Sequence, residues 1–153
     1  AGSTLLETGK RGVDLARGLV DDGKADGKTA AALVSAYLAD EAAAQDPAWA
    51  TNEQLGAAVR VCLGGALKPD EDDEFEPTGA QLAASVGVLD AVCARYRDHG
   101  FPRTDKGESL LEKAFMKLFG CDAVAEEMFA AWKLKGTVRE GLDQCQKFIA
   151  WLE

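Results

Sequence analysis

The sequence has few of the residues that commonly carry catalysis or bind metals. It contains a single histidine, His99, and its four cysteines lie more than twenty residues apart, with no C-x-x-C pair. A structural zinc site needs four closely placed ligands, and a Cys–His nucleophile needs both partners within hydrogen-bond reach. We therefore predict a protein with no metal, no cofactor and no catalytic residues.

Basic residues and long apolar runs are also scarce. There are 17 lysines and arginines against 26 acidic residues, which gives a formal net charge of −9. Nucleic-acid binding depends on clustered lysine and arginine facing phosphates, so direct nucleic-acid contact is not expected. No run approaches the roughly 20 apolar residues of a membrane span. The acidic balance favours a basic protein partner, or serves solubility alone.

Most of the chain has the apolar spacing of amphipathic helices, and no segment shows sustained strand-like alternation. With 153 residues and 47% hydrophobic content, one all-α domain over residues 1–153 is expected. Seven helical segments are predicted, each antiparallel to the next: 5–20, 29–46, 51–68, 78–98, 110–119, 122–136 and 138–152. The acidic run DEDDEFE, residues 70–76, is predicted to be a solvated loop, with a binding role as the alternative.

Three cysteines fall on predicted inner helix faces: Cys62, Cys93 and Cys145. We expect them to be buried free thiols rather than disulfides. Free thiols fit a reducing compartment, so a cytoplasmic location is predicted.

The last third of the chain is the most regular part. Its three segments carry successive apolar stripes, with a helix start expected at Asp122 and helix ends at Gly120 and Gly136. Earlier in the chain, helix starts are expected at Thr29 and Thr78. The stripe residues are Leu110, Leu111, Ala114, Phe115, Leu118 and Phe119; then Val124, Met128, Ala131 and Trp132; then Val138, Leu142, Cys145, Ile149 and Leu152.

Aromatic and acidic residues occur close to one another along these segments. Trp132 is expected to be mostly core, whereas both a core position and a partly exposed edge are open for Trp151. The acidic residues are expected on the polar side of the same surface, where lysine stems could pack on rings while ammonium groups meet carboxylates. The predicted partner-binding residues are Asp122, Glu126, Glu127, Trp132, Phe148, Trp151 and Glu153.

Two stretches carry a family resemblance: FMKLFGCDAVAEEMFAAW at 115–132 and KFIAWLE at 147–153. They resemble the paired aromatic-and-acidic boxes of the two-tryptophan HEAT domain at the carboxyl end of eukaryotic translation initiation factor 5, initiation factor 2B epsilon and initiation factor 4 gamma. The match covers about the last 45 to 50 residues. In the family, the second box usually runs into several more acids, whereas here Glu153 is the one acid after Trp151.

The resemblance implies a HEAT-type stack of helical hairpins that acts in protein biosynthesis as a protein-interaction domain. The implied partner is the lysine-rich segment of initiation factor 2 beta. Two alternatives follow from the same family: docking of a protein kinase, as in factor 4 gamma, and promotion of guanine-nucleotide exchange, as in factor 2B epsilon. No acidic exchange site could be matched in residues 5–44. A small acidic helical protein unrelated to translation is a further alternative.

Overall fold

The computed structural model describes residues 2–68 and 75–153, and within these ranges the protein is all-α, as predicted. The only extended pairing there is an isolated bridge between Arg103 and Ser109. The ten α-helices are α1 (Gly2–Glu7), α2 (Gly12–Asp21), α3 (Gly27–Leu38), α4 (Glu41–Gln45), α5 (Ala57–Cys62), α6 (Gly79–Asp98), α7 (Leu110–Gly120), α8 (Glu126–Lys135), α9 (Arg139–Gln144) and α10 (Gln146–Leu152). A 3-10 turn, Pro47–Ala50, and a π-helical turn, Asn52–Gly56, join α4 to α5. Most of the predicted acidic loop, residues 70–74, lies outside the described residues.

Three of the seven predicted segments are each divided into two helices. In segment 5–20, Gly9 and Gly12 have φ of +74° and +61°, a left-handed backbone that separates α1 from α2. Segment 29–46 is interrupted at Asp40, whose carboxylate caps α4. Segment 138–152 breaks at Cys145, where ψ of 17° ends the helical path between α9 and α10. The apolar stripe continues across that break, which is why periodicity alone did not reveal it.

Three of the predicted helix starts, at Thr29, Thr78 and Asp122, have different outcomes. Thr78 caps α6 through a reciprocal pair of hydrogen bonds with Gln81, as expected. The expected start at Thr29 is wrong, because Asp26 is the cap and accepts a hydrogen bond from the Thr29 backbone at 2.8 Å. The expected cap at Asp122 is also wrong. Asp122 has φ of +60° in the turn that closes α7, and α8 begins after Ala125 without a side-chain cap.

Helix α6, with 20 residues, lies at the centre of the packing. It contacts α3 on one side and α8 and α9 on the other, while α1 packs on α3 and α2 packs on α5. We expected each predicted segment to pack on the next one, and the contact of α1 with α3 follows that expectation. The contacts of α3 with α6, α2 with α5 and α6 with α8 instead join segments that are not consecutive. The Pro47–Ala50 turn lies against α7 and so connects the two halves of the chain.

The main apolar core contains residues from Leu15 to Ile149, and a smaller separate cluster consists of Ala16, Ala57 and Val61. The expected buried thiols at Cys62, Cys93 and Cys145 lie in the main core as free cysteines, while Cys121 is half-buried. Within the described ranges, no helix is long and apolar enough to cross a membrane.

Candidate protein-docking surface

Trp151 presents an open aromatic face at the end of α10. Its side chain is 70% exposed. The Phe119 ring meets it edge-on at 5.8 Å between ring centroids, and the Phe148 ring lies nearly parallel to it at 6.3 Å. The indole is therefore held by rings on one side and open to solvent on the other, so the expectation of an exposed edge at Trp151 is the one that the structure supports.

Helix α10 is fixed in place by its buried side and by one carboxylate. Cys145, Phe148 and Ile149 are buried in the core. The backbone N–H of Phe148, in the first turn of α10, donates a hydrogen bond of 3.1 Å to Glu112 on α7. A carboxylate suits a helix amino terminus because it pairs with backbone N–H groups that have no partner inside the helix. These contacts orient Trp151 on the side of α10 that faces α7.

Two residues of the predicted binding set lie in the core instead. Trp132 is 2% exposed and Phe148 is 3% exposed. Trp132 packs edge-on against Phe115 at 5.3 Å, and Phe148 packs edge-on against Phe129 at 5.0 Å. Trp132 is thus the core residue that the sequence predicted. Neither side chain has a free face for a partner, so both support the surface from below.

A shallow hollow of about 140 Å³ lies between α8 and α10, on the side of α10 away from Trp151's ring contacts with α7. We call it the α8–α10 hollow. Apolar side chains of both helices form its floor, and charged side chains form its rim. The α8 residues contribute to it together because residues three and four apart lie on the same helix face. It is lined by Glu126, Phe129, Ala130, Lys133, Ile149, Leu152 and Glu153.

The two adjacent acids of α8 differ in their position. Glu126 lines the hollow, whereas Glu127 is exposed but is not part of its lining. One step along an α-helix turns the side chain by about 100°, so neighbouring residues face different directions. The structure therefore places Glu126 and Glu153 in the lining of one hollow and leaves Glu127 on a different face.

Asp122 lies near Arg60 of α5 rather than in the hollow. Burial lowers the pKa of the Arg60 guanidinium, and the nearby Cys121 and Asp122 oppose that shift. Arg60 itself is buried and donates hydrogen bonds to the backbone carbonyls of Cys121, Ala66 and Leu67 at 2.7–2.8 Å. Asp122 does not line the hollow, so the structure separates it from the acids with which the sequence grouped it.

The carboxyl-terminal third is less acidic than the whole chain. Residues 110–153 contain seven acidic and six basic side chains. One of those bases, Lys133, lines the hollow and forms an ion pair with Glu153. The sequence analysis missed Lys133, although its position seven residues after Glu126 places both on one helix face. It also missed Phe119 as a support of Trp151.

The part of the chain that the structure describes contains no group of three or more His, Cys, Asp and Glu side chains that could hold a metal ion. The Nε2 atom of His99 lies 2.7 Å from the backbone oxygen of Leu38, where it connects the end of α6 to the end of α3. This histidine thus has a structural contact at a helix junction.

Comparison with known proteins found no matching family model, no matching curated protein and no matching solved structure.

Proposed function

We propose that this chain is a non-catalytic protein-interaction domain that docks a lysine-rich segment at its carboxyl-terminal end. The observation that carries the proposal is the α8–α10 hollow, in which an apolar floor lies between the carboxylates of Glu126 and Glu153. The exposed ring of Trp151 lies at the end of α10, two residues before Glu153.

A lysine side chain matches both parts of this surface. Its four-carbon stem packs on apolar groups while its ammonium group stays near carboxylates and water. A second lysine of the same segment can lie over the open face of Trp151, where cation–π contacts at exposed sites contribute about 0.5–1 kcal/mol. Each exposed ion pair adds about 0–1 kcal/mol, so binding requires several lysines and weakens as salt is raised.

The favoured biological context is eukaryotic translation initiation in the cytoplasm, with a HEAT-type relationship to the carboxyl-terminal domains of initiation factors. This part of the proposal is supported by the resemblance of residues 115–132 and 147–153 to the two aromatic-and-acidic boxes. The favoured partner is the lysine-rich segment of initiation factor 2 beta. Kinase docking and promotion of nucleotide exchange are the alternatives within the same family.

The direct test is calorimetric titration of the protein with a lysine-rich peptide, beside a peptide of the same length with glutamine at each lysine. Glu126→Lys should weaken binding by about tenfold or more at about 0.15 M salt, because it places a like charge in the hollow. Glu127→Lys makes the same change in charge one position away and is the matched control, with a loss of less than about threefold. A melting curve of each variant confirms that it is folded.

Two results would contradict the docking proposal. If folded Glu126→Lys binds as the wild type does, the hollow is not the site. If wild-type affinity does not change with salt, the electrostatic mechanism is wrong. The biological context is tested separately, by titrating the factor 2 beta segment and a candidate kinase, and by measuring guanine-nucleotide release from factor 2 in the presence of the domain.

A further inference from the structure

We infer that Lys133 is an internal occupant of the α8–α10 hollow: its ammonium group pairs with the Glu153 carboxylate until a lysine of the partner displaces that ammonium group. This inference rests on the proposed function, because it concerns the regulation of the same surface. It makes Lys133 a residue that limits affinity, rather than a contact that adds to it.

The geometry of the hollow carries the argument. Lys133 forms an ion pair with Glu153, so a lysine ammonium group is already paired with one of the two carboxylates at the rim. Glu126 lies seven residues before Lys133, about 10 Å along α8, at the other end of the same face. Only three ionisable side chains line the hollow: Glu126, Lys133 and Glu153. Lys133 therefore reduces the net charge of that lining from −2 to −1.

The ion pair is well suited to exchange. The side chain of Lys133 is 41% exposed and that of Glu153 is 60% exposed. Pairs at such exposure contribute about 0–1 kcal/mol, so an incoming lysine can replace Lys133 at little cost. The replaced Lys133 ammonium stays near the hollow and repels a basic partner. Both effects, competition and repulsion, lower the affinity of the wild-type protein for a lysine-rich segment.

The test is a set of titrations with the lysine-rich peptide at about 0.15 M salt, where exposed charges more than about 8 Å apart are largely screened. Lys133→Met removes the charge and keeps an apolar stem, and we expect it to strengthen binding by about threefold to tenfold. Lys135→Met makes the same change on α8, but Lys135 lines a depression against α6 instead. This control should change affinity by less than about twofold, because exposed charges farther from the ligand are screened.

A double-mutant cycle distinguishes the internal occupant from a general effect of charge. In a Glu153→Gln background, the gain in binding free energy from Lys133→Met should be at most half of the gain seen when Glu153 is present, because the carboxylate for which Lys133 competes is gone. Equal gains in affinity for Lys133→Met and Lys135→Met, or weaker binding by Lys133→Met, would overturn the inference. Binding of the peptide by the wild type would still support the docking function in that case. If neither the wild type nor Lys133→Met binds the peptide, the docking function and the inference both fail.

Discussion

The carboxylate of Asp90 on α6 accepts a hydrogen bond of 3.2 Å from the indole nitrogen of Trp132 on α8. The same carboxylate accepts hydrogen bonds from the backbone and the hydroxyl of Thr137 at 3.0–3.1 Å. Asp90 therefore joins the central helix to α8 and to the turn before α9. It satisfies the only polar atom of a side chain that is otherwise enclosed in apolar core, and it fixes how α8 lies on α6.

Asp90→Ala should lower the free energy of unfolding by about 1.5–3 kcal/mol, because the buried indole N–H and the Thr137 groups lose a charged acceptor. Urea denaturation at neutral pH measures the loss. Asp98→Ala is the control on the same helix: Asp98 forms only an exposed ion pair with Arg95, and its loss should cost less than about 0.5 kcal/mol. Equal effects of the two substitutions would show that Asp90 does not hold α8 in place.

Apolar spacing predicted the all-α class and most of the core. The stripe through Leu110, Phe115 and Leu118 is buried as expected, and so is Trp132. These positions were predictable because burial of a helix face is a property of the local sequence. Trp151 could not be assigned in this way, because its exposure depends on the position of α7, which is distant in the sequence.

The remaining differences between the predicted and the observed site residues arise from contacts between residues that are far apart in the sequence. The role of Asp90 was not visible because its hydrogen-bond partners are more than forty residues away. Glu126 and Glu127 were grouped because they are adjacent, although only Glu126 meets α10. The resemblance to aromatic-and-acidic boxes pointed to α7, α8 and α10, but it did not distinguish acids that line the hollow from acids that face elsewhere.

The two tryptophans of the predicted binding set should respond differently to substitution. Trp132→Ala removes a buried ring and should cost about 3–5 kcal/mol in the free energy of unfolding. Trp151→Ala should cost less than about 1 kcal/mol, because most of that side chain is exposed. Thermal and urea unfolding measure both. Peptide titration should then show weaker binding by folded Trp151→Ala, and an unchanged affinity would remove the exposed ring from the docking surface.

Gly141 on α9 marks the closest approach of that helix to α6. A Cβ atom at this position would lie 2.5 Å from the Cys93 sulfur, far inside contact distance. Gly141→Ala should therefore lower the free energy of unfolding by about 1–3 kcal/mol through overpacking. Gly87→Ala, within α6, is the control: a Cβ there meets no atom within 4 Å, so the substitution should stabilise the protein by about 0.5–1 kcal/mol.

A rescue experiment tests the cause of the Gly141 effect. In a Cys93→Ala background the sulfur is absent, so Gly141→Ala should cost much less than it does in the wild type. If the cost is the same in both backgrounds, contact with Cys93 is not the reason for glycine at this position.

Buried thiols should make the protein sensitive to alkaline pH. Burial raises the pKa of Cys62 to about 12, and it also raises the pKa values of Cys93 and Cys145. An unfolded thiol has a pKa of about 8.5, so the unfolded chain loses these protons first as pH rises. The stability from keeping the thiols protonated is complete below about pH 8 and decreases above it, by about 1.4 kcal/mol per pH unit for each thiol. Burial likewise raises the pKa of Tyr96 to about 12, which adds a further loss above about pH 10.

The measurement is a series of urea denaturation curves between pH 7 and about pH 10, with reductant present throughout, because the predicted loss begins near the unfolded thiol pKa of about 8.5. The free energy of unfolding should be nearly constant up to about pH 8 and then decrease steeply. Cys145→Ala should be less stable than the wild type at pH 7, since it leaves a cavity, but its decline above pH 8 should be shallower by the contribution of one thiol. The difference in slope identifies the thiol as the titrating group, because loss of packing alone would shift the whole curve without changing its dependence on pH. A wild-type stability that stays constant to pH 10 would mean that the thiols ionise as freely in the folded protein as in the unfolded chain, which contradicts their burial.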